Sequence, residues 1–395
     1  MNGTGASLVV TLKRGREKSV RARHHWIFSG AVARVEGEAS PGAIAAVRDS
    51  AGAVLGYGCY GGRASIAVRM LTFGDRPFTT DVLRGLIRAA IARRRDTPLL
   101  AGTDAVRLVF SEGDALPGLI VDSYNGHLVL QSLTAGIDRL RNDIAGILVD
   151  ELAPASLYER SDHAGRALEG LSEASGQLVG STPDAVEIHE GGVAFVVDIT
   201  RGQRTGFFLD QRDNRALVRS VAAGRRALDL FCYQGGFSLA ALAGGARSCV
   251  AVDASEAACA AARRNIAHNA FDAPAELVCA DVFEFIRARA IDADLVIIDP
   301  PAFAKSREAV ARAARGYKDI NLNVLRACPP GSLVLTCSCS RFVDAALFQK
   351  IVFGAAADAN RAVSILRRTH QPADHPVNIY HPETEYLTAL LLSVE

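Results

Sequence analysis

None of the eight cysteines of this 395-residue chain (Cys59, Cys232, Cys249, Cys259, Cys279, Cys328, Cys337, Cys339) stands in a C-x-x-C pair. That spacing argues against a zinc site and against a disulfide framework, so no metal is expected. No apolar segment reaches about eighteen residues and no signal-peptide pattern opens the chain, so it reads as cytoplasmic, with no membrane partner. Formal charge is only +1, which excludes a global basic field. Repeats and low-complexity tracts are also missing. What is present is the composition of a soluble globular enzyme, 49% hydrophobic and 22% charged, at a length that calls for two or three domains. Charge is uneven locally: Lys13, Arg14, Arg16, Lys18, Arg21 and Arg23 face a single acid, Glu17, with His24, His25 and Trp26 directly after. Such a run is either a solvated face or a phosphate-binding one.

The chain divides into three rhythms. Short β-like runs (Ser7 to Thr11, Ala43 to Val47, Ala64 to Val68) alternate with turns at Gly56, Gly58, Gly61 and Gly62, which predicts a small β-barrel over 1–75. Thr79 and Thr80 offer an N-cap to a helix over Asp81 to Arg95, with Leu83, Leu86, Ile87 and Ile91 on one face. Strands at Val106 to Phe110, Leu119 to Asp122 and Leu128 to Ser132, a helix from Gly136 to Leu152, and strands near Leu157 and from Ala185 to Ile199 make an α+β middle domain over 76–190. From about Arg225, strands at 227–230, 249–253, 276–280, 295–298 and 333–336 alternate with helices. That pattern predicts a doubly covered parallel sheet in a third domain over 191–395. Ligands of such sheets bind at the carboxyl ends of the strands.

Three of those strands end in acids. Asp229 precedes a loop, Phe231 to Gly236, that is not G-x-G-x-x-G, and it places a carboxylate where a pyrophosphate would lie, so a cationic ligand is favoured. Gly235 lets the backbone approach that ligand. Asp253, 24 residues on, suits both hydroxyls of a ribose. Asp281 suits an exocyclic adenine amine or a helix N-cap. Together they fit S-adenosylmethionine. Asp299-Pro300-Pro301-Ala302-Phe303 then fixes a carboxylate and an aromatic ring beyond the next strand, where Phe303 can stack on a base and Asp299 can bond to its edge.

The run Leu333 to Thr336 stops at Cys337-Ser338-Cys339-Ser340. Carbon 5 of a pyrimidine is too weak a nucleophile to take a sulfonium methyl unaided. Attack by a thiolate at carbon 6 makes carbon 5 enamine-like. Cys337 is the candidate nucleophile; Cys339 points the same way but lies further from the strand end.

These residues resemble the class I S-adenosylmethionine-dependent methyltransferases and, more narrowly, the ribosomal RNA large subunit methyltransferase I family, 23S rRNA cytosine-C5 enzymes. The similarity covers nearly the whole chain. It runs through His25 to Ser29, Glu112 to Asp122, Gly202 to Arg212, Asp374-His375-Pro376 and Pro382-Glu383-Thr384. The resemblance implies a PUA-like RNA-binding barrel ahead of a middle domain and a Rossmann-like methyltransferase domain. It also implies cofactor contacts for Phe208, Asp210, Gln211 and Arg212, and the nucleophile's role for Cys337. RNA contacts for Lys13, Arg14, Arg21 and Arg23, with 23S ribosomal RNA as partner, follow from it too. Arg204 stands where lysine is expected and keeps the charge. Asp-Pro-Pro-x-Phe also occurs in relatives that methylate guanine nitrogens, so a guanine N-methyltransferase is the alternative.

Overall fold

The computed structural model describes residues 8–62, 64–304 and 306–395; Ser7, at the start of the first expected strand, lies outside them. The chain folds as two compact units. One runs to Ile188 and takes in Val197–Leu209 and Ala373–Thr384; the other comprises His189–Val196, Asp210–Pro372 and Glu385–Glu395.

The first unit opens with β1 (Leu8–Leu12), a short helix α1 (Lys18–Arg21), β2 (Trp26–Phe28), β3 (Val32–Glu36), β4 (Ile44–Arg48), β5 (Val54–Tyr60) and β6 (Ile66–Phe73). The strands form one six-stranded sheet in the order β2-β6-β5-β4-β1-β3. Alternation along β1 buries Leu8, Val10 and Leu12 against Val47, Val68 and Met70, as half-buried strands require. Gly56 and Gly58 sit where a Cβ would strike the backbone of Thr72 and Arg69 on β6, so these two positions keep the hairpin tight.

The same unit continues with α2 (Thr80–Arg95), β7 (Ala105–Phe110), β8 (Leu119–Tyr124), β9 (His127–Ser132), α3 (Ala135–Leu152), β10 (Ser156–Ser161) and β11 (Ala174–Gly180). Thr79 caps α2, accepting from Val82 N. Leu83 and Ile87 of α2 and Ile137 and Ile144 of α3 share a core with Val109, Val121 and Leu130. Buried acids here are clasped by arginines. Arg107 meets Asp122 through two contacts of 2.8 Å, and Arg94 meets Asp114 at 2.6 and 2.7 Å. Thr205 donates to Asp122 at 2.5 Å, and Asp374 accepts from Arg107 N at 3.0 Å. These bonds explain why 197–209 and 373–384 fold here, although the chain rhythm groups both with the parallel sheet.

Residues 186–197 form a hairpin, β12 (Val186–Glu190) and β13 (Val193–Val197), turned by Gly191 and Gly192, both at positive φ. The second unit then runs α4 (Arg212–Val221), β14 (Arg226–Leu230), α5 (Gly236–Ala243), β15 (Ser248–Asp253), α6 (Glu256–Asn269), β16 (Ala275–Cys279) and α7 (Val282–Ala288). It ends with β17 (Leu295–Ile298), α8 (Val310–Ala327), β18 (Ser332–Ser338), α9 (Ala345–Ala359), β19 (Val363–Thr369) and β20 (Thr388–Val394). The sheet order is β16-β15-β14-β17-β18-β20-β19, parallel through β18, with β20 inserted antiparallel between β18 and β19. Helices cover both faces: Val334 and Ile298 pack with Tyr317 and Phe348, while Leu335 and Leu295 pack with Phe237 and Leu242. This is the Rossmann-like arrangement the alternating rhythm predicts. β18 extends two residues past the expected Thr336, so Cys337 lies inside a paired strand, opposite Ala389, rather than beyond its tip.

Candidate methyl-transfer site

After β14 the chain adopts left-handed backbone at Phe231 (φ 66°), Tyr233 (φ 49°) and Gly235 (φ 84°), three alternate positions of one loop. A side chain there costs roughly 1–2 kcal/mol per residue, and such strain gathers at functional sites. The loop is pinned from β15: Asp253 accepts from Tyr233 N and from Ser255 N, each at 2.9 Å. Each Asp253 oxygen keeps a lone pair for a further donor. At Gly235 a Cβ would come within 3.0 Å of Leu239 and 3.4 Å of Ala262.

Asp229 is wholly buried. One carboxylate oxygen, Oδ2, accepts from Ser238 N at 2.9 Å and from Ser238 Oγ at 2.6 Å, while Oδ1 is buried without any partner. Burial, with the Asp253 charge adding to it, raises this carboxyl to about 6. A buried carboxylate oxygen left unbonded, beside a glycine in left-handed backbone, fits a cationic ligand such as the amino-acid end of S-adenosylmethionine. Asp281 is exposed and caps α7, accepting from Glu284 N at 3.0 Å, which leaves its second oxygen toward solvent chemistry.

At the carboxyl edge of β17 and β18 lies a second polar group. Gln211 Nε2 donates to Asp299 at 2.8 Å, Gln211 Oε1 accepts from Asn214 at 2.6 Å, and Asn214 bonds to Thr369. Tyr386 donates its hydroxyl proton to Asp210 at 2.6 Å. Cys337 is fully buried against this network. Burial together with the Asp299, Cys339 and Asp210 charges holds its thiol well above the ordinary range, opposed by a bond from Gln211. Cys339 is half-buried, its sulfur 3.8 Å from the Pro300 carbonyl. Ser340 fixes the Asp299-Pro300-Pro301 loop by accepting from Ala304 N at 3.2 Å and pairing with the Tyr317 hydroxyl at 2.9 Å.

The expected residues thus separate. Asp229, Gly235 and Asp253 share one loop; Asp210, Gln211, Asp299 and Cys337 share the second cluster. Arg212 lies 3.6 Å from Glu190, alongside the tighter Arg215–Glu190 pair. Phe303 rests on Tyr317, ring centres 4.7 Å apart, within a chain of rings that continues to Phe283 and Phe231. Phe208 belongs to the first unit, with the Arg204 guanidinium 5.2 Å above its ring. Sequence reading missed Tyr386, Asn214 and Thr369. Tyr386 follows the Pro382-Glu383-Thr384 string by two positions, the single hint the chain offers; the other two carry none.

In the first unit, Lys13 and Arg14 are exposed, with Lys13 Nζ bonded to Gly30 O at 2.9 Å. Arg21 is tied to Asp49 at 2.7 Å, and Arg23 lies 5.9 Å from the Tyr380 ring and lines a cavity of about 600 Å3 with Arg76 and Arg93. A smaller cavity of about 260 Å3 joins Arg16 to Trp26 and Phe28, an aromatic that is 52% exposed. Cations beside exposed aromatic faces suit single-stranded nucleic acid. Among the described residues no helix is long and apolar enough to cross a membrane.

Two family models match the chain: S-adenosylmethionine-dependent methyltransferase over residues 164–391 and PUA-like domain over 10–73. Ribosomal RNA large subunit methyltransferase I of Serratia proteamaculans is 41% identical over 95% of this chain and 96% of its own length. The protein of the same name from Photobacterium profundum is 42% identical over 96% and 97%. A solved structure of a candidate SAM-dependent methyltransferase from Streptococcus mutans covers 97% of this chain and 99% of its own, with a TM-score of 0.82 and 21% identity, a likeness of fold.

Proposed function

Since the chain belongs to the ribosomal RNA large subunit methyltransferase I family of S-adenosylmethionine-dependent enzymes, we propose that it methylates carbon 5 of a cytidine in 23S ribosomal RNA through a covalent cysteine adduct. The observation that carries this reading is the grouping of Cys337 with Asp299 and Gln211 at one sheet edge. A guanine N-methyltransferase on the same scaffold has no use for a sulfur there.

S-adenosylmethionine, when bound, supplies an electrophilic methyl group; Asp229, Gly235 and Asp253 would hold it. Cys337 passes its proton to the neighbouring Asp299 carboxylate and bonds through sulfur to carbon 6 of the cytosine, which shifts electron density to carbon 5. Asp299 accepts from the exocyclic amine and holds the ring edge. Once carbon 5 is methylated, loss of its proton re-forms the carbon 5–carbon 6 double bond and expels Cys337 as thiolate. The depth of Cys337 means that the nucleotide must be turned out of its stack to meet it. RNA would dock through Lys13, Arg14, Arg21 and Arg23 of the PUA-like domain.

A second reading gives the attack to Cys339, which is the more exposed of the two and lies against Pro300. An rRNA fragment carrying 5-fluorocytidine distinguishes these readings, because fluorine cannot leave carbon 5 as a cation and the adduct persists. Peptide mass spectrometry of the trapped complex should find the nucleotide on Cys337, and Cys337→Ala should trap nothing while Cys339→Ala still does. An adduct on Cys339 would transfer the role, and methylguanosine without any adduct would sink the cytosine reading.

A further inference from the structure

Three residues far apart in the chain meet in the first unit: His24, which follows α1, and His381 and Glu383 from the segment 373–384. Their ligating atoms all lie within 4.8 Å of one another. His24 Nε2 is 3.4 and 3.3 Å from the two Glu383 oxygens, and His381 Nε2 is 3.9 Å from Oε2. The two imidazole rings lie 4.4 Å apart.

His381 is the informative member. Its side chain is 1% exposed, yet neither ring nitrogen has a hydrogen-bond partner. A buried polar group left unbonded costs roughly 1–3 kcal/mol and calls for an explanation. Its neighbours bond elsewhere. His25 is already bonded through Nδ1 to Met70 O at 2.8 Å, and Glu112 accepts from Trp26 Nε1 at 2.7 Å and from Ser111 at 2.5 Å.

We infer that His24, His381 and Glu383 form a binding site for a divalent transition metal of zinc's class, which clips the 373–384 segment to the strand that carries Trp26. Two imidazoles and one carboxylate suit such an ion, and bond lengths of about 2.0–2.1 Å put tetrahedral ligands about 3.3 Å apart. The His24–Glu383 separation of 3.3 Å meets that, and the half-exposed Glu383 can close the remaining gap to His381. His24 Nδ1 lies 3.1 Å from Trp26 N and 3.3 Å from the Trp26 carbonyl; the tautomer that donates from Nδ1 to that carbonyl leaves Nε2 for the metal. With three protein ligands, a fourth position stays open to water.

The full-length protein, stripped with a chelator and dialysed, should take up one Zn2+ per chain. Its melting temperature should rise with zinc, and Co2+ should give visible d–d absorption of tetrahedral intensity without a thiolate charge-transfer band. His24→Gln and Glu383→Gln, the second at an exposed position that leaves the fold intact, should each weaken Zn2+ by more than about tenfold. His381→Gln should do the same if it folds, but the proposal does not depend on it. No uptake at micromolar zinc, uptake indifferent to both variants, or a cobalt spectrum showing cysteine ligation would each overturn it.

Discussion

Asp122 and Asp229 are both fully buried acids at sheet positions, and they are handled in opposite ways. Asp122 is gripped by the Arg107 fork and by Thr205. Asp229 has a serine on one oxygen and nothing on the other. The first is a finished ion pair whose charge is spent inside the scaffold. The second keeps one oxygen unbonded, as the proposed site for a cation requires. Burial alone therefore says little about a carboxylate's purpose; the identity of its partners decides it. The same distinction sorts the strings that carry the family resemblance. Asp114, Asp122 and Asp374 hold the first unit together, whereas Asp210 and Gln211 face the thiol cluster.

The contrast can be broken most severely at Arg107. Arg107→Ala strands a buried charge, and about 3–5 kcal/mol of stability should go, read as a large fall in melting temperature and in soluble yield. Asp229→Asn should act the other way round, abolishing S-adenosylmethionine binding by calorimetry while the fold persists. Its pH signature sharpens the point. Asp229 titrates near 6 when folded, against an ordinary value near 4, so the folded state binds the extra proton between them. Stability falls as pH rises through that window, by up to about 3 kcal/mol, and Asp229→Asn should flatten the curve. A cationic ligand favours the ionised form, so wild-type cofactor affinity should decline below about pH 6. Unchanged affinity there would mean that Asp229 does not face the cation. The smallest effect belongs to the basic face: Lys13→Glu with Arg14→Glu should weaken RNA binding and lower its salt dependence, with cofactor affinity unmoved.

The parallel strands were legible because each is a short apolar run, four of them followed by or containing an acid and the last closed by cysteines, and the five runs became β14 to β18. β19 was not, since Val363–Thr369 holds Arg367 and Arg368 and alternates in exposure as an edge strand does. β11 reads Ala-Ser-Gly-Gln-Leu-Val-Gly, which has almost no strand propensity and forms only because β10 offers its edge. Asp229 and Asp253, the acids proposed to hold the cofactor, were visible at strand ends. The depth of Cys337 was not, because pairing with Ala389 extends β18 through a partner that local pattern cannot supply. The His24 cluster escaped for the same reason: metal signatures are read from short spacings, and this one joins positions at opposite ends of the numbering.

The insertion of β20 between β18 and β19 has a bearing on synthesis. Strands β14 to β17, with the acids proposed to hold the cofactor, are complete some ninety residues before Ala389 is made and can be laid beside Cys337. A growing chain could thus acquire a cofactor cradle while its nucleophilic strand still lacks a flank. Chemistry would wait on a segment that arrives late and must thread into a slot already bordered on one side. Loosening that segment, rather than any site residue, is then the simplest way to leave an enzyme that binds its methyl donor and cannot spend it.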